Sequence, residues 1–589
     1  MDRSLIRPSV LPIVVTAAAV ACAACQRTAE PKPAPSSASA AALVEPPGPP
    51  APEVQAAVQG VLDAARHPWL RWPTVSHGLP ALKRLYSPEA EPDGLFWFAG
   101  STPYPELAAA VETLGKAAEE GLDPEDYDAA RLASEWKRIS APGATLTDRG
   151  LFDIALTIGA IRYISSAHNG RVDPRLVGFD YDVNHKRLDL AAVLRASRGA
   201  GGLEQAREDT EPPFPVYHRL IKALAEYRAI AAAGEPPVVP RLEAKQKKVE
   251  PGQPWAGATA LAARLKAFRD LPADASLPNP APDGTPLYAG ALVEAVKSFQ
   301  GRHVLDPDGV IGAGTIAALD VPVAKRVRQI ELALERERWL PEMVKQPLIF
   351  VNVCLFRLWA YDPEKPDEPL RMNVVVGKSL GHATPVFVDQ MEYIIFRPYW
   401  SPPPSILRDE LLPRARRDPG YLERENMEIV ASGDENAAPL PATPENLDRV
   451  ASGTLYLRQK PGETNSLGLA KFIFPNSENV YMHGTPAQTL FARARRDFSH
   501  GCIRLEDPGA LAQWVLRRDP AWTRERIDAA MKGDRPTQVN LKEKLTVILF
   551  YDTAYVGSSG RVRFTDDYYG HDARLEQALK GGFPYPRTR

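Results

Sequence analysis

The chain has 589 residues, 44% of them hydrophobic and 24% charged, an ordinary globular composition in a length too great for a single core. Lysine and arginine total 71 against 73 aspartates and glutamates, a net charge of −2. That balance gives no basis for a nucleic-acid partner. At the N-terminus, Arg3 and Arg7 precede an apolar run over 10–21 that is broken by Pro12 and Thr16. The run is shorter than the about 20 residues of a membrane span and fits a secretory signal over 1–25.

The segment Ala21-Cys22-Ala23-Ala24-Cys25-Gln26 resembles a bacterial lipoprotein cleavage site. The resemblance implies acylation at Cys25, or alternatively at Cys22, and Gln26 after the cysteine favours the outer membrane over the inner. Simple cleavage near Ala24 is the other reading. Residues 26–55 are rich in Pro, Ala and Ser and read as an extended tether. Residues 56–235 have helical spacing, as in Leu107–Leu114 and Leu151–Ile164, and carry no catalytic constellation, so they read as a scaffold. Phe96-Trp97-Phe98 reads as core. Residues 236–255 are Pro-rich and then basic (Lys245, Lys247, Lys248), which predicts a linker with a solvated basic face.

Over 256–322, Ala291–Gln300 is an amphipathic helix, Asp306–Gly309 a turn, and Ile311–Leu319 leads into another helix. The pattern AV-x-x-FQ, DG-x-IG, T-x-x-AL resembles a small three-helix peptidoglycan-binding module. Its implied role is wall binding, with service as a spacer the alternative, and His303 reads equally as structural or functional. Residues 323–345 then connect to the last domain through a helix over 327–341 ending at Trp339-Leu340-Pro341.

From 348 onward the hydrophobic period changes to two. Ile349–Tyr361 reads as a strand with Asn352, Cys354, Phe356 and Leu358 on one face, so Cys354 is expected in the core. Met372–Val376, Tyr393–Phe396 and Leu545–Tyr551 read as further strands of a mainly-β domain. Within it lie Ser499-His500-Gly501-Cys502-Ile503-Arg504-Leu505 and, upstream, Tyr481-Met482-His483-Gly484-Thr485-Pro486. Acyl transfer by a thiol needs a thiolate, a base and oxyanion donors. Cys502 is the candidate nucleophile. The N–H groups of His500, Gly501 and Cys502 are candidate oxyanion donors, with Gly501 permitting close backbone approach. Arg504 is a candidate fork for a substrate carboxylate, and the backbone near Gly484 could orient a base. Residue chemistry alone leaves His483 and His500 open as the base. A metal site built from His483, His500 and Cys502 lacks familiar ligand spacing.

Together, the HGTP and SHGCIRL strings resemble the L,D-transpeptidase catalytic-domain family, in its large multidomain Gram-negative branch. Phe396–Ile406, Gly462–Asn476 and Asp566–Asp572 resemble that branch beyond the motifs. The implied fold is multidomain α+β: a helical scaffold, the three-helix module and a catalytic domain over 346–575. A capping insertion is expected over 401–455, and the tail 576–589 shows no resemblance. Carried over by the resemblance, Cys502 is the nucleophile and His483 the general base. Ser499 supports the loop, and Tyr399 and Trp400 either line the acceptor cleft or pack in a core. The implied reaction is 3→3 cross-linking of peptidoglycan stem peptides through a thioester on a tetrapeptide donor, without cofactor or metal, in the periplasm, with carbapenems as acylating inhibitors. Water, a free D-amino acid or a lipoprotein lysine as acceptor are enzymatic alternatives. A non-catalytic wall-binding lipoprotein is the other class.

Overall fold

The computed structural model describes residues 51–582, apart from 77, 183–185, 200, 244, 342–345, 367 and 380. The signal segment with Cys22 and Cys25, and the tail beyond 582, lie outside the described residues. Among the described residues no helix is long and apolar enough to cross a membrane.

The scaffold starts earlier than its composition suggested. Pro52, whose missing N–H costs nothing at a helix start, opens the helix Pro52–Ala64 inside the expected tether. The scaffold is built around the 24-residue helix Leu146–Asn169, buried along most of its length. Thr145 and Asp148 cap it reciprocally, each side chain accepting from the other's backbone N–H. Phe96, Trp97 and Phe98 lie in this core.

The three-helix module comprises Ala258–Ala267, Ala291–Arg302 and Ala313–Leu319. Gln300 is the hub of its motif. Its amide donates to Asp308 Oδ1 (3.0 Å) and the Val310 carbonyl (2.9 Å) and accepts from Gly309 N (2.9 Å). His303 is buried, bonded to the Phe299 carbonyl at 2.7 Å and stacked on Phe299, a packing role. The expected linker 236–255 is not free chain. Val239, Val249 and Trp255 are buried, and Val249 and Pro254 form β-bridges to Ile311 and Leu287. Lys245, Lys247 and Lys248 are exposed as expected.

The main sheet of the C-terminal domain has ten strands among the described residues. They are β1 (Phe179–Asp180), β2 (Leu348–Asn352), β3 (Arg357–Tyr361), β4 (Leu370–Gly377), β5 (Val386–Phe396), β6 (Ala470–Ile473), β7 (Met482–His483), β8 (Asp497–Ser499), β9 (Ile503–Leu505) and β10 (Thr537–Phe550). The order β6-β7-β9-β4-β3-β2-β10-β5 closes through a further β5–β6 pairing, which makes a barrel around an apolar core. The scaffold's β1 adds in parallel to β5, and β8 adds to β4. The expected single strand 349–361 is instead the hairpin β2–β3. Asn352 Oδ1 accepts from Leu355 N at 3.2 Å, and Phe356 turns the chain at φ +53°. Cys354 is in the core, and neither it nor Cys502 is in a disulfide. The insertion forms a cap with its own core, in which Trp400, Leu412, Leu447 and Leu457 meet. Its hairpin pairs Met427–Val430 with Tyr456–Gln459, so the cap runs past 455. At the C-terminus, His571–Lys580 is a helix anchored by Leu575 and Leu579, so the tail continues the fold through its first residues.

The connecting helix Val323–Glu337 delivers four consecutive charged residues, Glu335 to Arg338, to a junction where each is fully buried. Glu335 accepts from the scaffold backbone at Arg171 and Val172. Arg336 pairs with Asp572 at 2.7 Å, its guanidinium over the rings of Phe179 and Tyr551. Arg338 donates to Tyr217 Oη at 3.0 Å. Burial raises the Glu337 carboxyl to about 8; burial and then the charge of Glu337 raise Asp552. A carboxyl raised on folding contributes stability at low pH that is lost as pH rises, here between 4.5 and about 8. Glu337→Gln is therefore expected to melt near wild type at pH 5 and about 2–4 °C above it at pH 8, as read by thermal melts at both pH values.

Candidate active site

Pairing between β7 and β9 is parallel, with Met482 beside Ile503 and His483 beside Arg504. Pairing between β6 and β7 sets Lys471 beside His483. Side chains in register on neighbouring strands share a face. Phe472, Met482 and Ile503 point into the barrel core. Lys471, His483 and Arg504 therefore form a row on the outer face. Cys502, one residue before β9, continues the alternation onto that face, and Ile503 N donates to the Tyr481 carbonyl at 3.1 Å. Tyr481 and His483 face each other with ring centroids 5.7 Å apart.

His483 is 5% exposed, and its Nδ1 bonds the Gly484 carbonyl at 2.5 Å. That bond fixes the tautomer with the proton on Nδ1 and leaves Nε2 basic. Burial lowers its pKa to about 3, aided by the charges of Arg504 and Lys471. The imidazole is thus neutral at working pH, as a proton acceptor must be. Burial pushes the Cys502 thiol up, while hydrogen bonding from Tyr481 and the charges of Lys471 and Arg504 oppose this. Its sulfur lies 4.0 Å from the Asn479 carbonyl.

The loop before Cys502 is tied from within and below. Ser499 Oγ donates to the Cys502 carbonyl at 2.6 Å and accepts from Gly501 N at 3.2 Å. The Gly501 N–H is therefore occupied by Ser499. Thr384 Oγ1 donates to the Gly501 carbonyl at 2.7 Å and accepts from Gly377 N at 2.9 Å, while Tyr569 Oη donates to the Gly377 carbonyl at 2.6 Å. Behind His483, Gly468 has φ +61°, and a Cβ there would come 2.5 Å from Thr485 N. Only glycine permits that approach of the two backbones.

The cap meets this face at two points. Tyr481 packs against the cap core, and His500 Nε2 lies 2.9 Å from Glu410 Oε1. The ring of His500 also stacks edge-on against His382. Glu410 sits on a π-turn, Leu407–Leu411, where Leu412 N reaches back to the Leu407 carbonyl. Pro413, lacking an N–H, cannot restore the α register. The structure thus separates the two histidines: His483 lies on the row beside Arg504, and His500 is engaged by the cap. Trp400 is buried in the cap core, and Tyr399 lies under Arg458 with the guanidinium 4.3 Å from its ring centroid, so both support the cap hairpin. Among the described residues no three His, Cys, Asp or Glu side chains are placed to hold a metal ion. Lys471, Tyr481, Thr384 and Glu410 were not picked out from the sequence as site residues.

Cys502, just before β9, and the neutral imidazole of His483 on β7 thus share one face of the barrel, with the cap against it. Residues 346–524 match the L,D-transpeptidase catalytic domain, residues 80–224 a scaffold domain, and residues 259–319 a "Putative peptidoglycan binding domain". A "Putative L,D-transpeptidase" of Haemophilus influenzae is 28% identical over 261 residues, 44% of this chain. The match spans about half of that relative, 51% of its length. The matched catalytic span stops before β10, the strand that lies between β2 and β5 in the barrel.

Gly501 has φ +118°, with no atom closer than 3.9 Å to where a Cβ would stand. Gly501→Ala thus has room but not the backbone conformation, at a cost of about 1–3 kcal/mol. The variant is expected to fold and to alkylate Cys502 at least about tenfold more slowly with iodoacetamide, because the loop relaxes away from Thr384. Melting curves and peptide mass spectrometry check both halves.

Proposed function

We propose that this chain is an exported L,D-transpeptidase that forms 3→3 cross-links between peptidoglycan stem peptides, anchored in the outer membrane through Cys25. The observation that carries the reading is the row Lys471–His483–Arg504 with Cys502 beside it on one capped face. In this scheme the Cys502 proton passes to His483 Nε2, and the sulfur attacks the L-centre carbonyl of diaminopimelate in a tetrapeptide donor. The Cys502 N–H and the Tyr481 hydroxyl receive the oxyanion, the Gly501 N–H being engaged by Ser499. The terminal D-alanine leaves with the proton held by His483. The amine of a second stem then attacks the thioester and gives its proton to the same nitrogen, the C–S bond breaks, and that proton returns to the Cys502 sulfur. Arg504, whose Nε is buried without a hydrogen-bond partner, suits a substrate carboxylate. The scheme needs no cofactor. The module over 259–319 would hold the enzyme against its polymer.

Purified tetrapeptide muropeptide incubated with the full chain is expected to yield a 3→3 dimer by mass spectrometry. Cys502→Ala should abolish the dimer, and a carbapenem should add its mass to Cys502. A tripeptide without dimer would replace transpeptidation with hydrolysis. No Cys502-dependent product of any kind would overturn the enzymatic reading.

A further inference from the structure

Lys471 belongs to neither sequence motif, yet it stands on the catalytic row. It is half-buried on β6, in register with His483 on one side and Ile395 on the other. Its Nζ lies 3.9 Å from the centroid of the Tyr481 ring, the same tyrosine whose carbonyl holds the strand next to Cys502. Among the described residues no carboxylate pairs with it. A partly desolvated ammonium without an anion is unfavourable, so a charge kept there calls for a counter-charge. The acidic group that acts on Lys471 is Cys502, and Lys471 is in turn the foremost charge acting on the Cys502 sulfur.

The titratable and charged groups that act on the sulfur are Tyr481, Lys471 and Arg504; His483 shares their face in register with Lys471 and Arg504, and His500, two residues before the cysteine, is bonded to Glu410. His483 sits between two cations and stays neutral, so it is not a standing counter-ion for a thiolate. Arg504 has the flat fork suited to a substrate carboxylate, whereas an ammonium on an aromatic face is a compact, unspecific point charge.

We propose that Lys471 is a positioning residue that supplies the fixed positive charge stabilising the Cys502 thiolate beside a neutral His483. The lysine exchanges no proton. The thiol proton passes to His483, and Lys471 remains an ammonium throughout. The inference rests on Cys502 being the nucleophile, as proposed above, but not on which substrate it acylates.

The test follows iodoacetamide alkylation of Cys502 in the full chain from pH 6 to pH 11, quantified on the Cys502 peptide by mass spectrometry. Lys471→Met is expected to raise the alkylation midpoint by about one pH unit and slow the reaction roughly tenfold at pH 7. Lys471→Arg should restore the wild-type midpoint. Thermal melts verify that Lys471→Met folds, and Lys471→Gln is read in its place if it does not. An unchanged midpoint overturns the proposal. So does a shift that Lys471→Arg fails to reverse, because it assigns the effect to packing. Alkylation needs no peptidoglycan, so loss of the muropeptide reaction and loss of this effect are read separately.

Discussion

The parallel pairing of β7 with β9 is the constraint on which the site depends. It sets His483 beside Arg504 and brings Tyr481 against the residue following Cys502. A slip of one residue would turn His483 into the barrel core and Met482 out of it. Barrel closure guards that register, since β7 is held by β6 on its other edge and β6 is held by β5. The two-residue strand β7 could not hold His483 in this register alone. Within a closed ring it has no free edge along which to slide.

A second constraint lies where Glu335 to Arg338 are buried between the scaffold, the residues that follow β10 and the C-terminal helix. Removing one partner of the network's cation–carboxylate pairs, such as Asp572 against Arg336, leaves a buried charge without compensation, which costs about 3–5 kcal/mol. The network is therefore a rigid joint rather than a source of net stability. Its helix joins the module to the catalytic barrel, as does the module's buried pair Arg302–Asp270, which Arg561, in the turn between the paired strands Ala554–Val556 and Val562–Phe564, joins at 2.6 Å. The cap touches the face that carries Cys502 and His483 through Tyr481 and the Glu410–His500 contact.

The motifs made Cys502 and His483 legible because each is a chemical group with few bland uses in that setting. The three-part architecture was legible from period changes and from the module's turn. The rest was hidden for physical reasons. Lys471 occupies an alternating position that reads as a solvated strand face, and only the cap makes that face an interior. The charges of 335–338 lie at the end of the connecting helix, and no local pattern shows that the scaffold and the C-terminal helix close over them. The β2–β3 turn escaped notice because the alternation of apolar residues runs through it, and Phe356 is not a residue that favours positive φ. Residues 236–255 have a linker's composition but pack through only a few side chains, Val249 and Trp255 among them.

The account turns on His483 being neutral, with its proton on Nδ1, where Gly484 receives it. Nitrogen-detected NMR of the full chain labelled at histidine, with His483→Gln for assignment, reads this directly. The expected result is one neutral tautomer for His483, unchanged from pH 5 to pH 8, in line with a pKa near 3. A titration midpoint at or above pH 6 would contradict the account, because an imidazolium would then serve as the thiolate's counter-ion and the cationic row would lose its role.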